Sequence, residues 1–211
     1  MKIAMINGSS KSRSGISDIL LAYLKAMLES ADSLAASAIQ VSKLKDGKLS
    51  AEETKAIAAA DSIVFAFPLY VDGLPAPMLS WLMSMENAFP EKRPLIYAVA
   101  NCGYYEGIQS QTAISILKNW AVRAGVPWGA ALAVGGGPMY FSAKIAATGP
   151  GKATFAGLEA LARHILLQET ADDRYTSPSL PRFLYSFTAN QQWKRAIRAR
   201  GLKVSDLGKK A

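Results

Sequence analysis

The chain has 211 residues, of which 50% are hydrophobic and 19% charged, a composition that suits one folded domain with a full core and excludes a disordered chain. No apolar run reaches the roughly 18 residues that a membrane-spanning helix needs. The net charge of +8 is uneven: from Ala171 onward nine Lys/Arg stand against three Asp, so residues 171–211 carry +6 and residues 1–170 carry +2.

Lys2–Ile6 reads as a first strand. Its apolar stretch is too short for a signal-peptide core, which points to a cytoplasmic protein. Gly15–Ser30 carries Ile19, Leu20, Tyr23, Leu24, Met27 and Leu28 at helical spacing. Ser37–Val41 is a weaker strand, and Ser50-Ala51-Glu52-Glu53 is a capping box opening a helix through Ala59. Ser62–Phe67 is a fully apolar strand, followed by a Met/Leu/Trp-rich helix over Ala76–Asn87. Leu95–Ala100 is a strand, Gln109–Ala124 a helix closed by Gly125-Val126-Pro127, Ala130–Val134 a strand and Gly151–Gln168 a helix.

Five strands, each followed by a helix, imply parallel crossovers. Continuous hydrophobicity in the later strands implies that both sheet faces are covered. The expectation is a three-layer, doubly wound α/β domain with a five-stranded parallel sheet over residues 1–170. A basic extension over 171–211 opens with Ser177-Pro178-Ser179-Leu180-Pro181 and turns helical to about Arg200. In such sheets ligands bind beyond the carboxyl ends of the strands, where the strand order reverses.

Cys102 is the only cysteine and His164 the only histidine. Together they exclude an intrachain disulfide, a CxxC redox pair and a four-cysteine cluster, and argue against a metal site or a Ser-His-Asp triad. Cys102 reads as a small buried or half-buried filler in preference to a reactive thiol, and His164 as a structural or surface residue.

Three loops concentrate the remaining chemistry. Gly8–Ser17 joins the first strand to the first helix and holds five serines, Lys11 and Arg13. Hydroxyls and backbone N–H groups at a helix start suit a phosphate; a polar turn that merely caps the helix reads equally well. Neither G-x-x-x-x-G-K-[ST] nor G-x-G-x-x-G is present, and Gly149-Pro150-Gly151-Lys152 lacks the first glycine and the hydroxyl of the former. The second loop, Pro68-Leu69-Tyr70-Val71-Asp72-Gly73, forms an apolar ledge at a strand end. The third, Asn101–Gly107, sets Tyr104 and Tyr105 between glycines, where they could cover a planar ring. Gly135-Gly136-Gly137 after the fifth strand reads as a tight turn or as space for a substrate.

Ile6-Asn7-Gly8-Ser9-Ser10 with Ser17, Ala60–Tyr70 and Leu74–Leu79 resemble the NAD(P)H-dependent FMN reductase and flavodoxin-like reductase families over about residues 1–168. Ser10-Lys11 stands where those families commonly have Gly-Ser-Pro-Arg. The resemblance implies a flavodoxin-like sheet of order 2-1-3-4-5 and one FMN. Its phosphate would lie on Ser9, Lys11, Ser12, Ser14, Gly15, Ile16 and Ser17. Its isoalloxazine would lie between Pro68, Leu69, Tyr70, Val71 and Asn101, Cys102, Gly103, Tyr104. It implies an oxidoreductase passing electrons from NAD(P)H to a quinone, flavin or other small acceptor; the alternative is a flavodoxin-type carrier without its own NAD(P)H oxidation, which is typically acidic where this chain is basic. No side chain is required as a general acid, so no catalytic residue is named; Tyr70, Tyr104 and Tyr105 are substrate-site candidates.

In the extension, Ala189, Trp193, Ala196 and Ile197 share one helical face, and Lys194, Arg195 and Arg198 another. Docking of the apolar face on the core or on a second subunit, as in a homodimer, is preferred to contact with an anionic membrane. Nucleic-acid binding has no motif behind it.

Overall fold

The computed structural model describes residues 1–10, 14–31, 39–44, 48–89 and 93–208, with side chains to Asp206. The strands are β1 (Ile3–Asn7), β2 (Ile39–Lys43), β3 (Ser62–Pro68), β4 (Leu95–Asn101), β5 (Trp128–Val134) and β6 (Arg174–Thr176). They are joined by helices α1 (Ile16–Ala31), α2 (Ala51–Ala58), α3 (Ala76–Ser84), α4 (Gln111–Arg123) and α5 (Lys152–Leu167), and α6 (Arg182–Ala199) follows. Among the described residues they form one parallel sheet of order β2-β1-β3-β4-β5-β6.

The expected order 2-1-3-4-5 is present, with a sixth strand beyond the five expected. Arg174-Tyr175-Thr176 has no apolar run to reveal it. It forms because its backbone pairs with Leu132–Val134 and the Thr176 hydroxyl donates to the Ala133 carbonyl at 3.1 Å. The weak strand expected over Ser37–Val41 is the strand Ile39–Lys43; residues 37–38 lie outside those described. The capping box forms as read: Ser50 Oγ accepts the Glu53 N–H at 3.1 Å, and the Glu53 carboxylate accepts the Ser50 N–H at 2.9 Å.

Side-chain alternation along the strands divides the core. On one face α1 and α5 pack over Met5, Val64, Tyr97, Val99, Leu132 and Val134. On the other, α2, α3 and α4 pack over Ile6, Ile63, Phe65, Phe67, Ala98 and Ala133. Phe65 meets Trp81 and Trp120 edge-on, with centroids 6.1 and 5.7 Å apart, the geometry favoured by aromatic quadrupoles.

The connections through α2, α3 and α4 advance across the sheet on one face. The connection from β5 to β6 advances the same way, yet its helix α5 lies on the opposite face. It therefore has the opposite hand to the others, against the strong preference of βαβ units for one hand. The long segment between β5 and α5, which includes 3₁₀ turns at Gly137–Phe141 and Gly149–Gly151, carries the chain to that face.

Tyr97 is fully buried on the α1/α5 face, with its hydroxyl 2.9 Å from both the His164 and Glu169 carbonyls at the end of α5. Burial first, and the Glu169 charge second, push its phenol up to about 12 from 10.0. The fold thus favours the neutral phenol, so this contribution is intact below pH 10 and is lost as pH rises from 10 to 12. Tyr97→Phe should cost about 1 kcal/mol at neutral pH and should flatten the alkaline loss of stability relative to wild type. Urea denaturation across that pH range checks this; parallel curves would refute it.

Candidate functional site

The first loop leaves β1 at Asn7, whose side chain is buried and clamps the loop. Its Oδ1 accepts the Ser9 N–H at 2.9 Å, and its Nδ2 donates to Asp18 Oδ1 at 2.7 Å. Asp18 in turn accepts the Gly15 N–H at 2.7 Å, closing the start of α1, and is paired with Lys43 from the end of β2 at 3.3 Å. Ser9, Gly15, Ile16 and Ser17 are buried and Ser14 is exposed, while Lys11 and Ser12 lie outside the described residues. Gly8 donates its N–H to the Ala66 carbonyl at 2.8 Å, and a Cβ there would collide with Met78 Sδ of α3. The loop is thereby seated between α1 and α3.

In the second loop Tyr70 and Gly73 exchange two hydrogen bonds, 3.1 and 3.0 Å. The turn between them holds Val71 and Asp72 at φ 47° and 58°. For the β-branched Val71 this is a strained conformation, and its side chain is fully exposed at the tip. Pro68 and Leu69 are half-buried and Tyr70 is exposed. Leu69 donates its N–H to the Asn101 carbonyl at 2.8 Å, which ties this loop to the third.

Asn101, buried at the end of β4, donates through Nδ2 to Ser17 Oγ at 2.9 Å and to the Phe67 carbonyl at 3.0 Å. One side chain therefore joins the ends of β3 and β4 to the first turn of α1. Gly103 and Tyr104 beyond it are exposed. Tyr105 turns the other way, its hydroxyl 2.7 Å from the Leu180 carbonyl and 3.2 Å from that of Pro178.

The glycines after β5 fasten onto the same loop. Gly136 donates to the Tyr104 carbonyl at 2.6 Å and Gly137 to that of Cys102 at 2.8 Å. A Cβ at Gly107 would lie 2.6 Å from the Thr176 carbonyl, so glycine is needed where β6 closes against the loop. The extension adds an outer strap. Tyr185 donates to the Gly103 carbonyl at 2.8 Å and stacks at a tilt on Tyr105, 5.5 Å between centroids, while Arg182 pairs with Glu106 at 2.8 Å.

Sequence reasoning missed Asn7, Asp18 and Tyr185. Asp18, third residue of a helix behind Gly15, is a cap position that could have been read; Tyr185 had no local signal. The glycine-rich stretch at 149–151 also reaches this edge, but there Ser179 Oγ accepts the Ala153 N–H at 3.2 Å at the start of α5. Among the described residues, no group of three or more His, Cys, Asp or Glu is placed to hold a metal. An open cleft of about 380 Å³ lies at the opposite end of the strands against Lys2, Ala4, Ile39, Gln40 and Ala59. Lys2 is the one charged side chain lining it.

No family model matches the chain and no curated protein matches it. Among solved structures it is similar to an NADH:FMN oxidoreductase in its apo form, with a TM-score of 0.60 and 17% identity over 81% of this chain and 90% of that one. A flavodoxin of Streptococcus pneumoniae TIGR4 gives 0.56 and 16% over 79% and 99%. An NADPH-quinone reductase from P. pentosaceus gives 0.52 and 15% over 78% and 96%.

Cys102 is buried, with Sγ 3.6 Å from the Glu106 carbonyl, and burial pushes its thiol up. A thiol held neutral and covered is a poor nucleophile. A disulfide exchange reagent at pH 8 should therefore label the native protein far more slowly than the unfolded chain; equal rates would contradict the burial. With its strand order, its two helical layers and these likenesses together, the chain has the flavodoxin-like fold.

Proposed function

We propose that this protein is a cytoplasmic FMN-dependent oxidoreductase that passes electrons from NAD(P)H to a quinone, flavin or similar small acceptor, with residues 1–170 as the cofactor-binding part. The observation that carries this is the convergence at the strand-order reversal: Asn101 joins a serine-bearing helix start to the ledge after β3. The solved structures with which the chain shares its fold include proteins named as NADH:FMN oxidoreductase and NADPH-quinone reductase.

The donor set fits the phosphate of FMN. Ser9 and Ser17 are buried polar groups beside the first turn of α1, whose leading N–H groups have no helical partner and attract anions. The Asp18 carboxylate is already engaged by Asn7, Gly15 and Lys43, so its charge is largely offset. Ser9, Ser14, Gly15, Ile16 and Ser17, with Lys11 and Ser12 of the same loop, would hold the phosphate. Pro68, Leu69, Tyr70 and Val71 would border the ring on one side, and Asn101, Cys102, Gly103 and Tyr104 on the other. When bound, FMN supplies hydride acceptance and onward electron transfer; the chain orients the reactants and excludes water. The exposed rings of Tyr70 and Tyr104 suit stacking against a flat nicotinamide or acceptor. The Tyr105 hydroxyl is committed to the extension.

The purified protein should carry a flavin spectrum, release FMN by mass spectrometry and oxidise NADH or NADPH. FAD as the sole chromophore, or a colourless protein indifferent to FMN, would refute the reading. Each charge-assisted hydrogen bond lost in Ser9→Ala/Ser17→Ala should weaken FMN by about 1.5–3 kcal/mol; an unchanged affinity would overturn the loop assignment.

The proposal includes a homodimer. No residue of α6 is buried, and Phe183, Phe187 and Trp193 are 75, 60 and 71% exposed. The face that includes Trp193 is thus not covered by its own core, which supports a second subunit as its partner. Phe187→Ser/Trp193→Ser should convert a dimer to a monomer by light scattering with little change in thermal unfolding. A monomeric wild type whose α6 instead binds anionic vesicles in a salt-sensitive way would overturn this.

A further inference from the structure

The Asn101 amide has a single consistent orientation. The atom 3.0 Å from the Phe67 carbonyl must be a donor, because a carbonyl only accepts, so that atom is Nδ2. The same nitrogen lies 2.9 Å from Ser17 Oγ. Both amide protons are therefore spent inside the protein, and Asn101 has none left to offer a ligand. Ser17 Oγ is an acceptor in this bond, and its one proton must point elsewhere. Ser17 is 2% exposed, and among the described residues no acceptor takes that proton. A buried hydroxyl with an unspent proton is costly, and it sits in the first turn of α1, beside the N–H groups that attract anions.

We propose that Asn101 is a positioning residue: by donating to Ser17 Oγ it turns the Ser17 hydroxyl into an obligate donor toward the cofactor phosphate, and through the Phe67 and Leu69 backbone it sets the ring ledge against the same point. This rests on the FMN reading above. Asn101 thereby acts on the phosphate through Ser17, in addition to its place beside the ring. Recognition of the phosphate thus depends on a residue that touches no part of it. An aspartate at this position would reverse the bond, accepting the Ser17 proton and turning the hydroxyl away from the ligand.

The test compares FMN with riboflavin, which shares the ring and lacks the phosphate. Dissociation constants are measured by flavin fluorescence for wild type, Asn101→Asp, Asn101→Ala, Ser17→Ala and the Asn101→Asp/Ser17→Ala pair. Asn101→Asp should lower FMN affinity by about 10- to 100-fold, the scale of one charge-assisted hydrogen bond, and should move riboflavin much less. The preference for FMN over riboflavin then collapses. In the Ser17→Ala background, Asn101→Asp should change that preference little further. Should Asn101→Asp not fold, Asn101→Ala carries the same expectation with a smaller loss.

An Asn101 variant that keeps the wild-type preference overturns this inference alone. So does an equal loss for FMN and riboflavin, which would show that Asn101 only supports packing or the ring. A wild type that binds neither flavin overturns the cofactor reading, and the inference with it.

Discussion

The structure depends on one constraint: parallel strands cannot be joined by tight turns. Each must be reached by a crossover, and each crossover leaves from the same edge of the sheet. The chain starts its sheet in the middle. It steps one way from β1 to β2 with α1 on one face, then the other way from β3 onward with α3 and α4 on the opposite face. The loops after β1 and β3 are neighbours at the carboxyl edge yet depart to opposite faces. In sheets wound this way, the point where neighbouring loops part is where ligands generally bind.

Particular residues are needed to furnish this edge. Strand ends there bring backbone groups and short polar side chains out of water, and each must find a partner or a ligand. Asn7 resolves this by bonding Asp18, and Asn101 by bonding Ser17 and the Phe67 carbonyl. The network has two effects. It satisfies buried amides, and it fixes which hydroxyls remain donors.

The extension is more closely tied to the fold than its charge and composition suggest. It supplies the edge strand β6, reached by a crossover of unusual hand, and then lies across the loops after β4 and β5 through Tyr105, Tyr185, Arg182 and Pro178. Only beyond Tyr185 does it leave the core, as a helix with basic and aromatic residues both exposed. One segment thus braces the third loop and ends in an exposed helix.

The alternation of apolar strands with amphipathic helices was legible in the sequence, since each of those elements buries enough apolar surface to mark itself by period and length. So were the capping box at Ser50, the burial of Cys102 and the three loops that carry polar and aromatic groups to one edge. What the tertiary structure decided was pairing at a distance. Thr176 joins the sheet because Ala133 lies beside it, and Tyr185 reaches Gly103 across 82 positions. Asn101 meets Ser17 across 84 positions, which changes it from a residue at a strand end into the tie between loops. A hydrogen bond between two polar side chains leaves no periodic trace along the chain, because neither partner's neighbours need be apolar or polar for it to form. Its existence is settled only when the crossovers bring both ends to the same edge and water is excluded.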